Sequence, residues 1–285
     1  MSHTPPPSSP RITLRTIRRW MRQDQPFAML TCYDATTARW LWRAGVQVML
    51  VGDTAAQMIY GHDSTLPATM QMLLPLTAAV RRGAPHAYIM GDMPFGSYQC
   101  GHDLAMENAV QFLTAGQADA VKLEVDQTFL PLVQRMASSG IPVVAHIGSR
   151  PQHVLAQGGF QSTGKTPAVA KTIISCAQEM VNAGVTMLLV EAVPEEVTAQ
   201  IMDIANQGGP NGIVPVIGCG AGPTCHGHVA VLHDILGMTD WQPPFAPPLV
   251  QAGQLLQQAA EQWVKQIQEK NYLKTNHPYK MNPLP

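Results

Sequence analysis

Charge is scarce in this sequence: only 13% of its residues are Asp, Glu, Lys or Arg, and the formal net charge is −1. A near-neutral balance excludes the basic footprint expected of a nucleic-acid binder or of a protein drawn to acidic membranes. Few charges also leave a rather apolar surface, and a homo-oligomer would cover part of it. No apolar run approaches the roughly 20 residues that a membrane-spanning helix needs. Close cysteine pairs are missing too. The five cysteines, Cys32, Cys100, Cys176, Cys219 and Cys225, are odd in number and widely spread. That pattern excludes a disulfide framework and leads us to expect reduced thiols in a cytoplasmic setting.

What is present is a long, apolar chain. With 285 residues and 46% hydrophobic content, it is long for an ordinary domain but normal for one α/β barrel. Residues 1–10, MSHTPPPSSP, read as a disordered leader. The Arg-rich stretch 11–22 carries Ile12, Leu14, Ile17, Trp20 and Met21 on one helical face. It reads as a helix closing the bottom of a barrel rather than as a transit peptide.

From there, apolar strand-like runs alternate with helical stretches, the rhythm of parallel strands. Strands are expected at 27–31, 46–51, 87–91, 120–123, 141–145, 187–190, 214–217 and 228–232. Helices are expected at 36–44, 70–82, 104–115, 129–139, 167–182 and 195–206, several of them stopped by a glycine. A long Gly-, Gln- and Ser-rich loop runs to Lys165, and an Ala/Gln-rich helix is expected at 250–265. Eight such strands close naturally into a single (β/α)₈ TIM barrel, with an N-terminal helix and a C-terminal helical tail, as one domain over 11–285.

The polar residues ending these runs carry the functional reading. Asp53, Asp92, Glu124, His146 and Glu191 each follow an apolar run, on five different expected strands. In a barrel those ends converge on one rim, where active sites lie. Asp53 alone could simply cap a turn. Four carboxylates on one rim would repel one another without a compensating cation. Oxygen ligands point to a hard ion such as Mg²⁺, which takes one or two protein carboxylates and leaves room for water and substrate. Lys122 lies two residues before Glu124, on the same strand face. It could be an ion-pair partner for the acids or could hold a substrate carboxylate. The group Cys219, Cys225, His226, His228 and His233 lacks the spacing of a zinc site. The glycines of 218–222 are at most a weak phosphate-cradle signal.

Taken in order, several of these segments resemble the signature of the ketopantoate hydroxymethyltransferase (3-methyl-2-oxobutanoate hydroxymethyltransferase) family. They are VGDT at 51–54, GHDSTLP at 61–67, AVRRGAP at 79–85, DMPFGSY at 92–98 and VKLE at 121–124. His146-Ile147-Gly148, Pro151-Gln152, Gly158-Gly159, VEAVP at 190–194, and 220–222 through 231–234 continue the match, over roughly 12–275. The resemblance implies a (β/α)₈ barrel, usually a decamer, acting in the pathway to pantothenate and coenzyme A. The implied reaction moves a hydroxymethyl group from 5,10-methylenetetrahydrofolate to 3-methyl-2-oxobutanoate. It also implies Asp53, Asp92 and Glu124 as Mg²⁺ ligands, and Asp53, Thr54, Asp92, Lys122 and His146 around the 2-oxo acid. Glu191 is implied as the proton acceptor.

The chain departs from the family pattern in several places. Thr54 stands where Ser is usual, Val125-Asp126 where Gly-Gly is usual, and Ser149-Arg150 where Leu-Thr is usual. His226 replaces an acid, and the loop after Gly159 is shortened. None removes a group the chemistry needs. Two alternatives to the hydroxymethyltransferase are a Mg²⁺-dependent 2-oxo acid lyase of the isocitrate lyase-like group and a non-catalytic paralogue. Retention of all five charged rim residues argues against the latter.

Overall fold

The computed structural model describes residues 10–272, so the expected leader lies, except for Pro10, outside the described residues. These residues form two compact units, one ending at Leu232 and one starting at His233. The first unit is a closed barrel of eight parallel strands in sequence order. They are β1 (Phe27–Thr31), β2 (Val48–Val51), β3 (Tyr88–Asp92), β4 (Ala120–Glu124), β5 (Val143–Gly148), β6 (Met187–Glu191), β7 (Val216–Cys219) and β8 (Gly227–Ala230). β8 pairs back onto β1, with Leu30 opposite Ala230.

Between the strands run α1 (Leu14–Arg22), α2 (Ala35–Arg43), α3 (Ala55–Met58), α4 (Met70–Gly83), α5 (His102–Thr114) and α6 (Leu130–Ser138). Next come α7 (Val154–Gln157), α8 (Pro167–Asn182), α9 (Glu195–Gln207) and α10 (Leu232–Ile235). In the second unit lies α11 (Ala252–Gln268), which presents Leu255, Leu256, Trp263, Val264 and Ile267 to solvent.

The period of two along each strand sorts the side chains into two layers. Phe27, Met29, Val48, Leu50, Tyr88, Met90, Ala120, Val144, Met187, Leu189, Ile217 and Val229 form one buried cluster, the barrel lumen. Ile12 and Ile17 belong to it, so α1 closes the lower end of the lumen, as the helical periodicity of 11–22 anticipates. The alternate residues, among them Met49, Val51, Ile89, Val121, Leu123, Val143, Leu188, Val190 and Val216, pack outward against the helices.

Helix boundaries follow local chemistry. Thr13 and Asp34 cap α1 and α2 by accepting backbone N–H bonds, Asp34 from both Thr36 and Thr37. Gly83 does not stop α4; it is the last helical residue. Any Cβ there would collide with the Ala35 carbonyl oxygen, so the glycine lets α2 and α4 approach closely. Arg81, buried beside it, donates to the Gln117, Pro85 and Ala87 carbonyls and pairs with Asp119. The RRGAP signature is therefore a backbone-pinning device at the lower end of the barrel.

Several boundaries differ from the sequence pattern: β2 begins at Val48 rather than Val46, β3 spans Tyr88–Asp92, β7 spans Val216–Cys219, and β8 begins at Gly227. The last strand ends at Ala230 rather than Leu232, because the Leu232 N–H leaves the ladder to donate to Thr31 Oγ1 at 3.0 Å and α10 begins there. β5 runs on to Gly148, three residues beyond the expected end. The loop before Lys165 holds a 3₁₀ turn (Pro151–His153) and α7.

Candidate active site

Continued upward, the lumen-facing positions become polar. Two residues above Met90 stands Asp92, and above Ala120 stand Lys122 and then Glu124. His146 follows Val144, Glu191 follows Leu189, and Cys219 follows Ile217. Strand register brings these groups side by side: Asp92 opposite Lys122, Glu124 opposite His146, and Glu191 opposite Cys219. The acids at 92, 124 and 191 are the last residues of their strands, while His146 lies within β5. Asp53 joins from the loop after β2 and is 4% exposed. Its side chain does not cap α3, so the turn-cap reading fails for Asp53 although it holds for Asp34.

Contacts knit the group together. Lys122 Nζ lies 2.7 Å from both Asp92 oxygens, and Asp92 Oδ2 also accepts the Asp53 backbone N–H at 3.1 Å. His146 sits between two acids, Nδ1 3.7 Å from Glu124 Oε1 and Nε2 3.4 Å from Glu191 Oε2. These distances are too long for good hydrogen bonds. Thr54 Oγ1 shares a 2.6 Å hydrogen bond with the hydroxyl of Tyr33, a buried residue just after β1.

Burial sets the electrostatics. It raises Glu124 well above the ordinary carboxylate range; Lys122 opposes this, while Asp53, Asp92 and Glu191 add to it. Glu191 is pushed up to about 7 by burial and by Asp53, against Lys122 and a hydrogen bond from Cys219. Asp92 is likewise raised by burial. Burial alone would lower Lys122, but Asp92, Asp53 and Glu124 reverse that and hold the ammonium charged. His146 is lowered far below its usual value by burial, then by Lys122 and Arg150, and is therefore neutral. Glu191 differs from its neighbours in access: its side chain is 14% exposed, against 1% for Asp92, Glu124 and His146. Of these acids it is the one that can exchange a proton with an incoming molecule.

Four residues escape the strand-end rule. Cys219 ends β7 and Tyr33 lies two residues past β1, but neither carries a charge to draw notice. Tyr98 and Gln152 lie in loops. Gln152 is 3% exposed, and its backbone N–H donates to Glu124 Oε2 at 3.0 Å. Its Nε2 donates to Asp53 Oδ2 at 3.0 Å and to the Met93 carbonyl at 3.1 Å. Its Oε1 accepts from Tyr98 Oη at 2.7 Å. The dipeptide Pro151-Gln152 is the only trace of it in the sequence reading.

The donor set suits a hard cation. Glu124 Oε1 is buried without a hydrogen-bond partner, and one lysine faces four acids. Among the described residues, no three His, Cys, Asp or Glu side chains are grouped so as to hold a metal ion by themselves. Mg²⁺ needs only one or two protein carboxylates and fills its other positions with water and substrate oxygens. Of the cysteines and histidines near β7 and β8, His226 serves the fold: its Nδ1 accepts the Val216 N–H at 3.1 Å.

A closed parallel barrel with charged groups gathered at the carboxyl ends of its strands defines a (β/α)₈ barrel enzyme. Residues 11–275 match the family described as Ketopantoate hydroxymethyltransferase. The chain is 36% identical over 284 residues to the 3-methyl-2-oxobutanoate hydroxymethyltransferase of Thermobifida fusca, covering 98% of this chain and 99% of that protein. To the protein of the same name from Mycobacterium tuberculosis it is 39% identical over 269 residues, 93% of each. This chain belongs to the ketopantoate hydroxymethyltransferase family. Among solved structures, 2,3-dimethylmalate lyase superposes with TM-score 0.56 at 14% identity, covering 96% of this chain and 93% of that one. Phosphonopyruvate hydrolase in complex with oxalate and Mg²⁺ does so with TM-score 0.57 at 12% identity, covering 95% and 93%. At that distance these two show a common fold.

Proposed function

We propose that the protein transfers a hydroxymethyl group from 5,10-methylenetetrahydrofolate to 3-methyl-2-oxobutanoate, giving 2-dehydropantoate for pantothenate and coenzyme A synthesis. The observation that carries this reading is the division of labour on the rim. Asp53, Asp92, Lys122 and Glu124 are buried, while Glu191, a carboxyl that burial raises to about 7, has a partly exposed side chain.

Asp53, Asp92 and Glu124 would hold Mg²⁺, which would supply Lewis-acid polarisation of the 2-oxo acid. Lys122 carries three N–H donors and spends at most two on Asp92, leaving one for a substrate carboxylate oxygen. Thr54, next to Asp53 and held by the Tyr33 hydroxyl, keeps the hydroxyl of the usual serine and adds a methyl group. Glu191 removes the proton from C3 of the 2-oxo acid. A base of pKa about 7 is half ionised at neutral pH, and such a positioned carboxylate is worth about 10²–10⁴ in rate. His146, neutral and packed against Glu191 Oε2, adds no positive charge that would weaken that carboxylate as a base. The carbanionic C3 then attacks the one-carbon unit of the folate; the carbon's two bonds to the folate nitrogens break, water supplies the hydroxyl oxygen, and tetrahydrofolate leaves with the protons its nitrogens need.

The barrel likeness to 2,3-dimethylmalate lyase favours the second reading, a 2-oxo acid lyase, on fold alone. Purified protein incubated with 3-methyl-2-oxobutanoate, methylenetetrahydrofolate and Mg²⁺ decides between them. Ketopantoate formation is expected; 2-oxo acid binding without ketopantoate would overturn the transferase reading. We also place the protein in the cytoplasm as a homo-oligomer, with the decamer of its family as the expected size; light scattering of the purified protein tests the latter.

A further inference from the structure

We propose that Gln152 is a positioning residue, whose amide sets the orientation of Asp53 and Glu124 and so shapes the oxygen donors offered to a divalent cation. This inference rests on the metal reading above and goes beyond it, because Gln152 is neutral and touches the acids only through hydrogen bonds.

The argument is one of saturation. A glutamine amide offers two N–H donors and two acceptor lone pairs. Here one N–H goes to Asp53 Oδ2 and the other to the Met93 carbonyl. The carbonyl oxygen accepts from Tyr98 Oη at 2.7 Å and from Gln99 Nε2 at 3.3 Å. A flipped amide would aim its oxygen at the Asp53 carboxylate and the Met93 carbonyl and its N–H₂ at the Gln99 amide donor, so one orientation is specified whether Tyr98 Oη gives its single hydrogen to Gln152 or to the Glu124 carbonyl at 3.1 Å. Tyr98 is itself fixed, since its hydroxyl accepts the Glu124 backbone N–H at 3.2 Å. The Gln152 backbone N–H holds Glu124 Oε2. One residue thereby commits one oxygen of each of two acids from different strands and leaves the other oxygen of each uncommitted by it. Arg150, two residues earlier, anchors the same loop to Asp126.

Partners of this kind orient metal ligands, and removing them costs about 10–100-fold in metal affinity. The test is a titration of the metal-free protein with Mn²⁺ followed by electron paramagnetic resonance, which reads binding without turnover. Wild type is expected to bind Mn²⁺, and Gln152→Leu, which keeps the volume but loses both N–H donors, to bind about 10–100-fold more weakly. Its kcat should recover at saturating Mn²⁺, a split that a general loss of stability would not produce. Gln152→Asn, short by one methylene, and Tyr98→Phe should fall in between. Wild-type Mn²⁺ affinity in a folded Gln152→Leu protein would overturn the proposal and leave the proposed reaction standing. If Gln152→Leu does not fold, wild-type affinity in Gln152→Asn overturns it equally. Failure of the wild type to bind Mn²⁺ would overturn the metal reading and this inference together.

Discussion

Arg150 Nη1 donates to Asp126 Oδ2 at 2.6 Å, tying the loop after β5 to the loop after β4. The sequence resemblance leads one to expect a neutral residue at each of these positions. Their pairing compensates two charges that would otherwise each stand alone beside a site already crowded with acids. Asp126 also accepts from the Thr128 backbone, so the junction is a small built corner rather than a chance contact.

A double-mutant cycle on Asp126→Asn and Arg150→Gln should therefore show coupling. The pair is partly exposed, with side chains 38% and 18% accessible, so about 0.5–1 kcal/mol is expected. Urea denaturation of the four proteins measures it; strictly additive losses would mean that the two charges act independently.

Replacement of Glu191 by Gln keeps the shape of the side chain and removes the base. Exchange of the substrate C3 proton with solvent should fall by about 10²–10⁴, with binding of the 2-oxo acid nearly unchanged. Proton NMR in heavy water follows the exchange, and a wild-type rate would remove Glu191 from its role.

The raised carboxyl groups make the metal-free protein sensitive to pH in an unusual direction. Folded Glu191 holds its proton up to about 7, whereas an ordinary glutamic acid loses it near 4.5. Between those values the folded state binds more protons than the unfolded state, so stability falls as pH rises. Glu124 and Asp92 act in the same sense. Urea midpoints in chelator should decline across that window, and Glu191→Gln should flatten part of the decline. Added Mg²⁺, by binding the ionised acids of the native state, should restore stability at the upper end.

At Gly83 two effects oppose each other. Helix propensity favours alanine over glycine by about 1 kcal/mol. The new methyl group, however, would meet the rigid Ala35 carbonyl oxygen, and overpacking against backbone costs about 1–3 kcal/mol or more. Gly83→Ala is thus expected to lower the thermal midpoint; a rise would show that α2 can move away from α4 at little cost.

The barrel and most of its charged rim were readable because apolar runs have ends. A strand buried on both faces has no cheap place for a carboxylate except where it emerges, so Asp92, Glu124 and Glu191 mark strand termini directly. The same pattern at Asp34 yields only a helix cap, and at Asp53 it does not distinguish a cap from a ligand; the difference lies in what approaches from elsewhere in the chain. Gln152 shows why. Its hydrogen-bond partners lie 28, 53, 54, 59 and 99 positions away, and no local pattern encodes such distances. Strand edges slipped for a related reason. The run at 46–51 is uniformly apolar, but ladder pairing begins only at Val48.

Ile12 and Ile17 make the lumen a blind shaft. In the reaction proposed above, the small acid would be held against Lys122, deeper than the bulky donor that delivers a carbon to it, so arrival would have an order and departure would reverse it. The hydrophobic floor laid down by α1 would thereby become a rule about traffic: first in, last out.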